Sequence, residues 1–114
     1  FIAVSCTETT FLRAIKLIDG TRHKNVKNIF GGVFSTFAPD LVMNYKNIDM
    51  LCVGEGENAI IDLANSISNE EDYSNVTNLW IRQKDGTIKK NSLSRPVNMD
   101  ELPHITDIGL FGEK

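Results

Sequence analysis

Ile48-Asp49-Met50-Leu51-Cys52-Val53-Gly54-Glu55-Gly56-Glu57-Asn58-Ala59-Ile60 is the stretch that decides the fold. A short apolar run ends at a glycine-bearing turn, and beyond it Ala59, Ile60, Leu63, Ala64 and Ile67 recur at helical spacing. Short strands buried on both faces read as continuous apolar runs, and a helix following such a strand directly is the repeating unit of a parallel sheet. The acidic residues at the start of this helix suit the positive end of its dipole.

The same unit occurs twice upstream. Phe1 to Cys6 is a β-rich apolar run, followed by Phe11, Ala14, Ile15, Leu17 and Ile18 near one helical face. Thr9 or Thr10 is the candidate cap of that helix, and Gly20 is its candidate end. Val26 to Val33 then runs into Gly31-Gly32, and after Pro39, a favoured first-turn residue, Leu41, Val42 and Tyr45 fall at helical spacing. Three strand-helix units in succession predict a parallel sheet covered on both faces, with right-handed crossovers.

After Ser68 the pattern changes. Asn69-Glu70-Glu71-Asp72 is a polar break, and Lys84-Asp85-Gly86 separates the strand-like runs Leu79-Trp80-Ile81-Arg82 and Thr87-Ile88-Lys89-Lys90. Asp-Gly between two such runs predicts a β-hairpin. Trp80 is expected to pack within it. The remainder, from Ser94-Arg95-Pro96-Val97 to Leu102-Pro103, reads as an ordered linker leaving the domain.

Composition narrows the function classes. Charged residues make up 24% and hydrophobic ones 41% of 114 residues, the balance of a globular domain with a single modest core. Fifteen acidic against twelve basic residues give a net charge of −3, and the basic residues are dispersed, so neither nucleic acid nor an anionic membrane is an expected partner. No run approaches the length of a membrane span and no signal-peptide pattern opens the chain, so the expected location is cytoplasmic. Cys6 and Cys52 each sit in an apolar run, which predicts buried thiols rather than a disulfide or metal site. His23 and His104 lack a second ligand at metal spacing and are expected at the surface. The start at Phe1, already inside a strand-like run, leads to the expectation of a carboxyl-terminal part of a larger open α/β domain.

In open parallel sheets ligands bind beyond the carboxyl ends of the strands, so the three strand-to-helix loops are the expected site. The first, from Ser5 to Thr9, offers hydroxyls whose default role is helix capping. The second, from Gly31 to Thr36, begins with two residues lacking Cβ atoms, which allows a ligand or another backbone to approach closely. In the third, Gly54-Glu55-Gly56-Glu57, amides beside a helix start suit anions or sugar hydroxyls. Its two carboxylates oppose phosphate and fit hydroxyl acceptance or capping. No nucleophile, base or metal set accompanies them, so no catalytic residue is assigned. Hydrolase, Walker and dinucleotide motifs do not occur.

The ordered series Gly31-Gly32, Phe37-Ala38-Pro39-Asp40, Val53-Gly54-Glu55-Gly56-Glu57, Arg95-Pro96 and Asp100-Glu101-Leu102-Pro103 resembles the cobalamin-binding domain of cobalamin-dependent radical S-adenosylmethionine (radical SAM) enzymes. The likeness runs from about Phe1 to Pro103. It implies a flavodoxin- or Rossmann-like three-layer α/β domain whose parallel sheet is incomplete here, with three parallel strands in residues 1–68, a hairpin extension in 69–93 and a linker in 94–114 toward an absent catalytic barrel. Cobalamin is the implied cofactor, its nucleotide tail held between strands and helices. Ser5 and Thr7 match the family's Ser-x-Leu loop, Gly31, Gly32 and Val33 the double-glycine loop, and Gly54, Glu55 and Gly56 the third loop. Two departures stand out: Thr7 replaces the usual leucine, and no Asp-x-His-x-x-Gly loop occurs. The [4Fe-4S] cluster and S-adenosylmethionine would belong to the downstream radical SAM domain, since two distant cysteines cannot hold a cluster. The parent activity implied is that of a methyltransferase or a tetrapyrrole-type cyclase. The alternative is a cofactor-free module of the same fold that docks the catalytic barrel.

Overall fold

A computed structural model describes residues 1–103. Five strands, β1 (Ile2–Ser5), β2 (Asn28–Gly31), β3 (Met50–Cys52), β4 (Leu79–Arg82) and β5 (Ile88–Lys90), form one sheet in chain order. β1, β2 and β3 are parallel, with Val4 opposite Phe30 and Phe30 opposite Leu51. β4 and β5 run antiparallel, Ile81 pairing with Met50 and Trp80 with Lys90. The hairpin at Asp85-Gly86 is therefore present as the sequence predicts, and it continues the sheet by adding β4 to β3.

The helices are α1 (Glu8–Thr21), α2 (Val33–Phe37), α3 (Pro39–Met43) and α4 (Glu57–Ser68). When parallel strands follow one another in chain order, crossovers of one hand put their helices on one face. Phe11, Ala14, Ile15 and Ile18 of α1 and Val42 and Met43 of α3 accordingly share one core with Phe30 and Leu51. The Phe11 ring is central to it, meeting Phe30, Phe34 and Tyr45 edge-on at centroid distances of 5.9, 5.1 and 4.9 Å. Trp80 packs against this core and carries Lys90 Nζ 4.0 Å above its ring. The connection through α4 leads to an antiparallel strand and lies on the opposite face, where Ala59 and Leu63 pack on Ile29, Met50, Cys52, Leu79 and Ile81.

Three layers result, and they are unequal. The first face is covered across the sheet, while the second is covered by α4 over β2, β3 and β4, so Ala3 and Ser5 of β1 stay exposed. Expected cover on both faces is thus found only in part, because only one helix falls on that side among the described residues. The uncovered strip beside α4 is the floor of the site below.

Local differences from the sequence reading have local causes. Gly20 lies inside α1 rather than ending it; the helix runs to Thr21, whose hydroxyl donates to the Ile18 carbonyl, and passes into a 3₁₀ turn at Arg22–Lys24. The helix starts after Thr7, where the Thr7 amide donates to Thr10 Oγ1 and the Thr10 amide to the Thr7 carbonyl, a reciprocal cap that places the boundary earlier than Thr9. Ile67, read as part of the apolar face of α4, is 39% exposed. His23 is at the surface, and His104 lies outside the described residues. At the amino ends of the strands the Asp49 carboxylate binds the Asn28 amide, the Asn28 side chain and Lys27 Nζ, pinning β2 to β3 at the end remote from the site.

Candidate functional site

The parallel strands point their carboxyl ends to one edge, and three loops leave there. They are hydrogen-bonded side by side. The Cys6 amide donates to the Gly31 carbonyl at 3.3 Å, and Ser35 Oγ, fully buried, donates to the same carbonyl at 3.2 Å. Thr36 Oγ1 donates to the Gly32 carbonyl at 3.2 Å and accepts from the Gly54 amide at 3.0 Å, tying the second loop to the third.

Gly32 shows why its residue type is needed. Its φ is +91°, and a Cβ there would lie 2.9 Å from both the Cys6 carbonyl oxygen and Ser5 Oγ. A side chain would force the first loop off the second. Gly54, with φ +84°, has open space around it, so its requirement comes from the backbone alone.

Between these loops, the bare strip of β1, the adjoining end of β2, and α4 lies a groove of about 700 Å³, the size of a small-molecule or cofactor site. Ala3, Ile29 and Gly31 form its floor, Val33 and Phe37 of α2 one wall, and Ile60 of α4 part of the other. The Phe37 ring is 83% exposed although it borders an apolar hollow. Glu55 and Glu57 are among its lining residues, and among the described residues no basic one lines the groove, which favours a neutral, amide- or hydroxyl-bearing ligand over a phosphate-rich one.

Seven of the eight residues singled out from sequence meet here: Ser5, Gly31, Gly32, Val33, Gly54, Glu55 and Gly56. Thr7 does not line the groove; it stands just before α1, its hydroxyl 3.0 Å from that of Thr9. Sequence reading placed Thr36 in the second loop without singling it out, and missed Phe37, Cys52 and Ile60. The spacing of Val33 and Phe37 by four residues is the helical signal that marks α2, but five residues are too few to stand out as a helix. Glu57 makes no side-chain cap at α4; Gly56 is the cap residue, and Glu57 acts through its charge in the first turn.

Cys6 and Cys52 are free and buried, as their apolar contexts predict. Burial, reinforced by the Glu57 carboxylate, pushes the Cys52 thiol up from 9.0 to about 11. The reactive thiolate is therefore about 100-fold scarcer near neutral pH than for an ordinary thiol. Iodoacetamide labelling of Cys52 at pH 8, followed by mass spectrometry, is expected to lag a free peptide thiol by at least that factor and to accelerate as pH rises toward 11. No group of three side chains able to hold a metal ion occurs among the described residues. No helix among them is long and apolar enough to cross a membrane.

The family model of the B12 binding domain matches residues 1–64, more than half of the chain. The chain belongs to the B12-binding domain family. No curated protein matches its sequence. Among solved structures, this B12-binding domain is similar to the cobalamin-dependent S-adenosylmethionine radical enzyme OxsB with aqua-cobalamin and S-adenosylmethionine bound, at 19% identity and a TM-score of 0.68, over 84% of this chain and 14% of that one. It is also similar to the radical S-adenosylmethionine methyltransferase TsrM from Kitasatospora setae with tryptophan substrate and an S-adenosylmethionine analogue, at 19% identity and a TM-score of 0.69, over 79% of this chain and 18% of that one. TsrM with cobalamin and a [4Fe-4S] cluster matches over 89% of this chain, at 18% identity and a TM-score of 0.69. At such identities the likeness is one of fold. This B12-binding domain spans less than a quarter of the length of either enzyme. Its matched family region ends within α4, so the hairpin that completes the sheet lies outside that region.

Proposed function

We propose that the chain holds cobalamin in the groove between β1, β2 and α4, as the cofactor domain of a radical SAM enzyme. The observation that carries this reading is the bare floor of the groove, where Gly31 and Gly56 present backbone beside groove-lining atoms and Gly32 lets the first two loops close on one another at its edge. Family membership supports it. The groove also suits the ligand chemically: its apolar walls match a flat heteroaromatic base, and the acceptors among its lining residues match an amide-rich periphery.

In this reading Gly31 and Gly32 give close backbone approach, Val33, Phe37 and Ile60 exclude water, and Ser5, Glu55 and Thr36 offer polar contacts. Bound cobalamin supplies a cobalt centre able to carry and hand on an alkyl group. This chain supplies enclosure and orientation; we place the [4Fe-4S] cluster, S-adenosylmethionine and the catalytic residues in a separate radical SAM domain, its partner. The TsrM likeness favours a methyltransferase over a tetrapyrrole-type cyclase as the parent activity. The free thiols suit a reducing, cytoplasmic setting.

Gel filtration of the protein mixed with hydroxocobalamin tests the reading. Coelution of the cobalamin absorbance with the protein is expected; its absence at micromolar concentrations would instead favour the cofactor-free docking module.

A further inference from the structure

Glu55 accepts a weak bond from the groove-lining Cys52 Sγ at 3.7 Å, and its stronger bonds come from Asn78 and Val97, outside the groove. Its carbonyl oxygen accepts from Asn78 Nδ2 at 2.8 Å, and its carboxylate Oε2 accepts from the Val97 amide. Asn78 also donates to Ser94 Oγ at 3.0 Å and accepts from the Ser94 amide at 2.7 Å. Its own backbone is fastened as well, the carbonyl accepting from the Val53 amide and the amide donating to the Ser92 carbonyl, both at 2.9 Å. Asn78 is 4% exposed and sits at φ 65°, a left-handed conformation that asparagine tolerates better than most residues. A smaller hollow of about 230 Å³, lined by Asn78, Leu93, Ser94 and Arg95, lies behind the third loop. Gly54 and Glu55 line both spaces, so the third loop is a partition between the groove and the segment 93–97.

We infer that Asn78 is a positioning residue for the groove: it sets the third loop against segment 94–97, so that the groove's affinity for its ligand depends on that segment being docked. The inference rests on the reading of the groove as a cobalamin site. The chemistry is specific to asparagine. Two N–H donors and one acceptor are all used in a buried place, and no other side chain of this size offers that set together with tolerance of the left-handed backbone. With Asn78 removed, the Glu55 carbonyl keeps only the weak Cys52 Sγ donor at 3.7 Å and the Ser94 amide loses its acceptor, leaving the loop free to sag into the groove.

Asn78→Asp keeps shape and backbone tolerance but removes both donors. It is expected to weaken hydroxocobalamin binding about tenfold, the worth of one or two net hydrogen bonds, and to speed amide exchange at residues 54–57. Ser94→Ala removes one partner and is expected to weaken binding about threefold, which keeps the question open to decision if Asn78→Asp fails to fold. Asn91→Ala is the structural control. Asn91 Nδ2 donates to the Ser74 and Val76 carbonyls and to no atom of the third loop, so its loss is expected to lower Tm without changing affinity. Affinities of Asn78→Asp and Ser94→Ala within about twofold of wild type, or a loss equal to that of Asn91→Ala at matched Tm, would overturn the inference. If the wild-type protein binds no cobalamin, the cobalamin reading falls by itself, and exchange at 54–57 alone decides whether Asn78 positions the loop.

Discussion

Gly32→Val is expected to destabilise the protein by about 2–5 kcal/mol, combining backbone strain at a positive φ with overpacking between two loops. The Cβ would meet the Cys6 carbonyl oxygen and Ser5 Oγ at 2.9 Å, and neither is the movable end of a long side chain. Relief requires the first loop to shift, which breaks the Cys6 amide bond to Gly31 and widens the groove floor. Gly54→Ala separates the two contributions. Its φ is +84° but its surroundings are open, so only the strain of roughly 1–2 kcal/mol is expected. Urea denaturation of both variants checks this; equal losses would contradict the close approach at Gly32. Where Gly32→Val still folds, its affinity for hydroxocobalamin is expected to drop by more than about tenfold, because the displaced loops border the groove.

Phe30→Ala is expected to cost about 3–5 kcal/mol, a large part of the roughly 5–15 kcal/mol that holds a small domain together. Phe30 is completely buried in the central part of β2, flanked by Val4 and Leu51 on the paired strands and met edge-on by Phe11. The strands are fixed by their ladders and α1 by its own packing, so the void has little means of collapsing. Thermal unfolding measured by circular dichroism reads the loss. A fall in Tm of only a degree or two would show that the first core is far looser than its ring contacts indicate.

The strand-helix succession was legible because the signals are local: apolar runs for β1 to β3, helical spacing after Glu8 and Glu57, and Asp85-Gly86 for the hairpin. The order of the sheet was not. Whether Met50 pairs with Ile81 depends on contacts between segments far apart in sequence, and nothing in either run specifies its neighbour. The uneven cover of the second face follows from that order, and with it the groove. The rule that ligands gather beyond the carboxyl ends of parallel strands was enough to bring Ser5, the two glycines and the third loop together. It could not reveal Cys52 or Ile60, whose places in the groove depend on how α4 packs, or the tie from Glu55 to Val97 across the sheet edge. Gly20 misled for the opposite reason: glycine is a common helix terminator, but the packing of Ile18 and the bond from Thr21 carry α1 past it.

Hydrogen exchange of the protein with and without hydroxocobalamin tests the central claim most directly, because it locates the ligand as well as detecting it. Added protection is expected at residues 31–37 and 52–57, which border the groove, with no change at residues 24–28 and 46–49 at the opposite end of the strands. Protection confined to that opposite end, or none at the three loops in the presence of saturating ligand, would contradict a cobalamin site built on the carboxyl ends of β1 to β3.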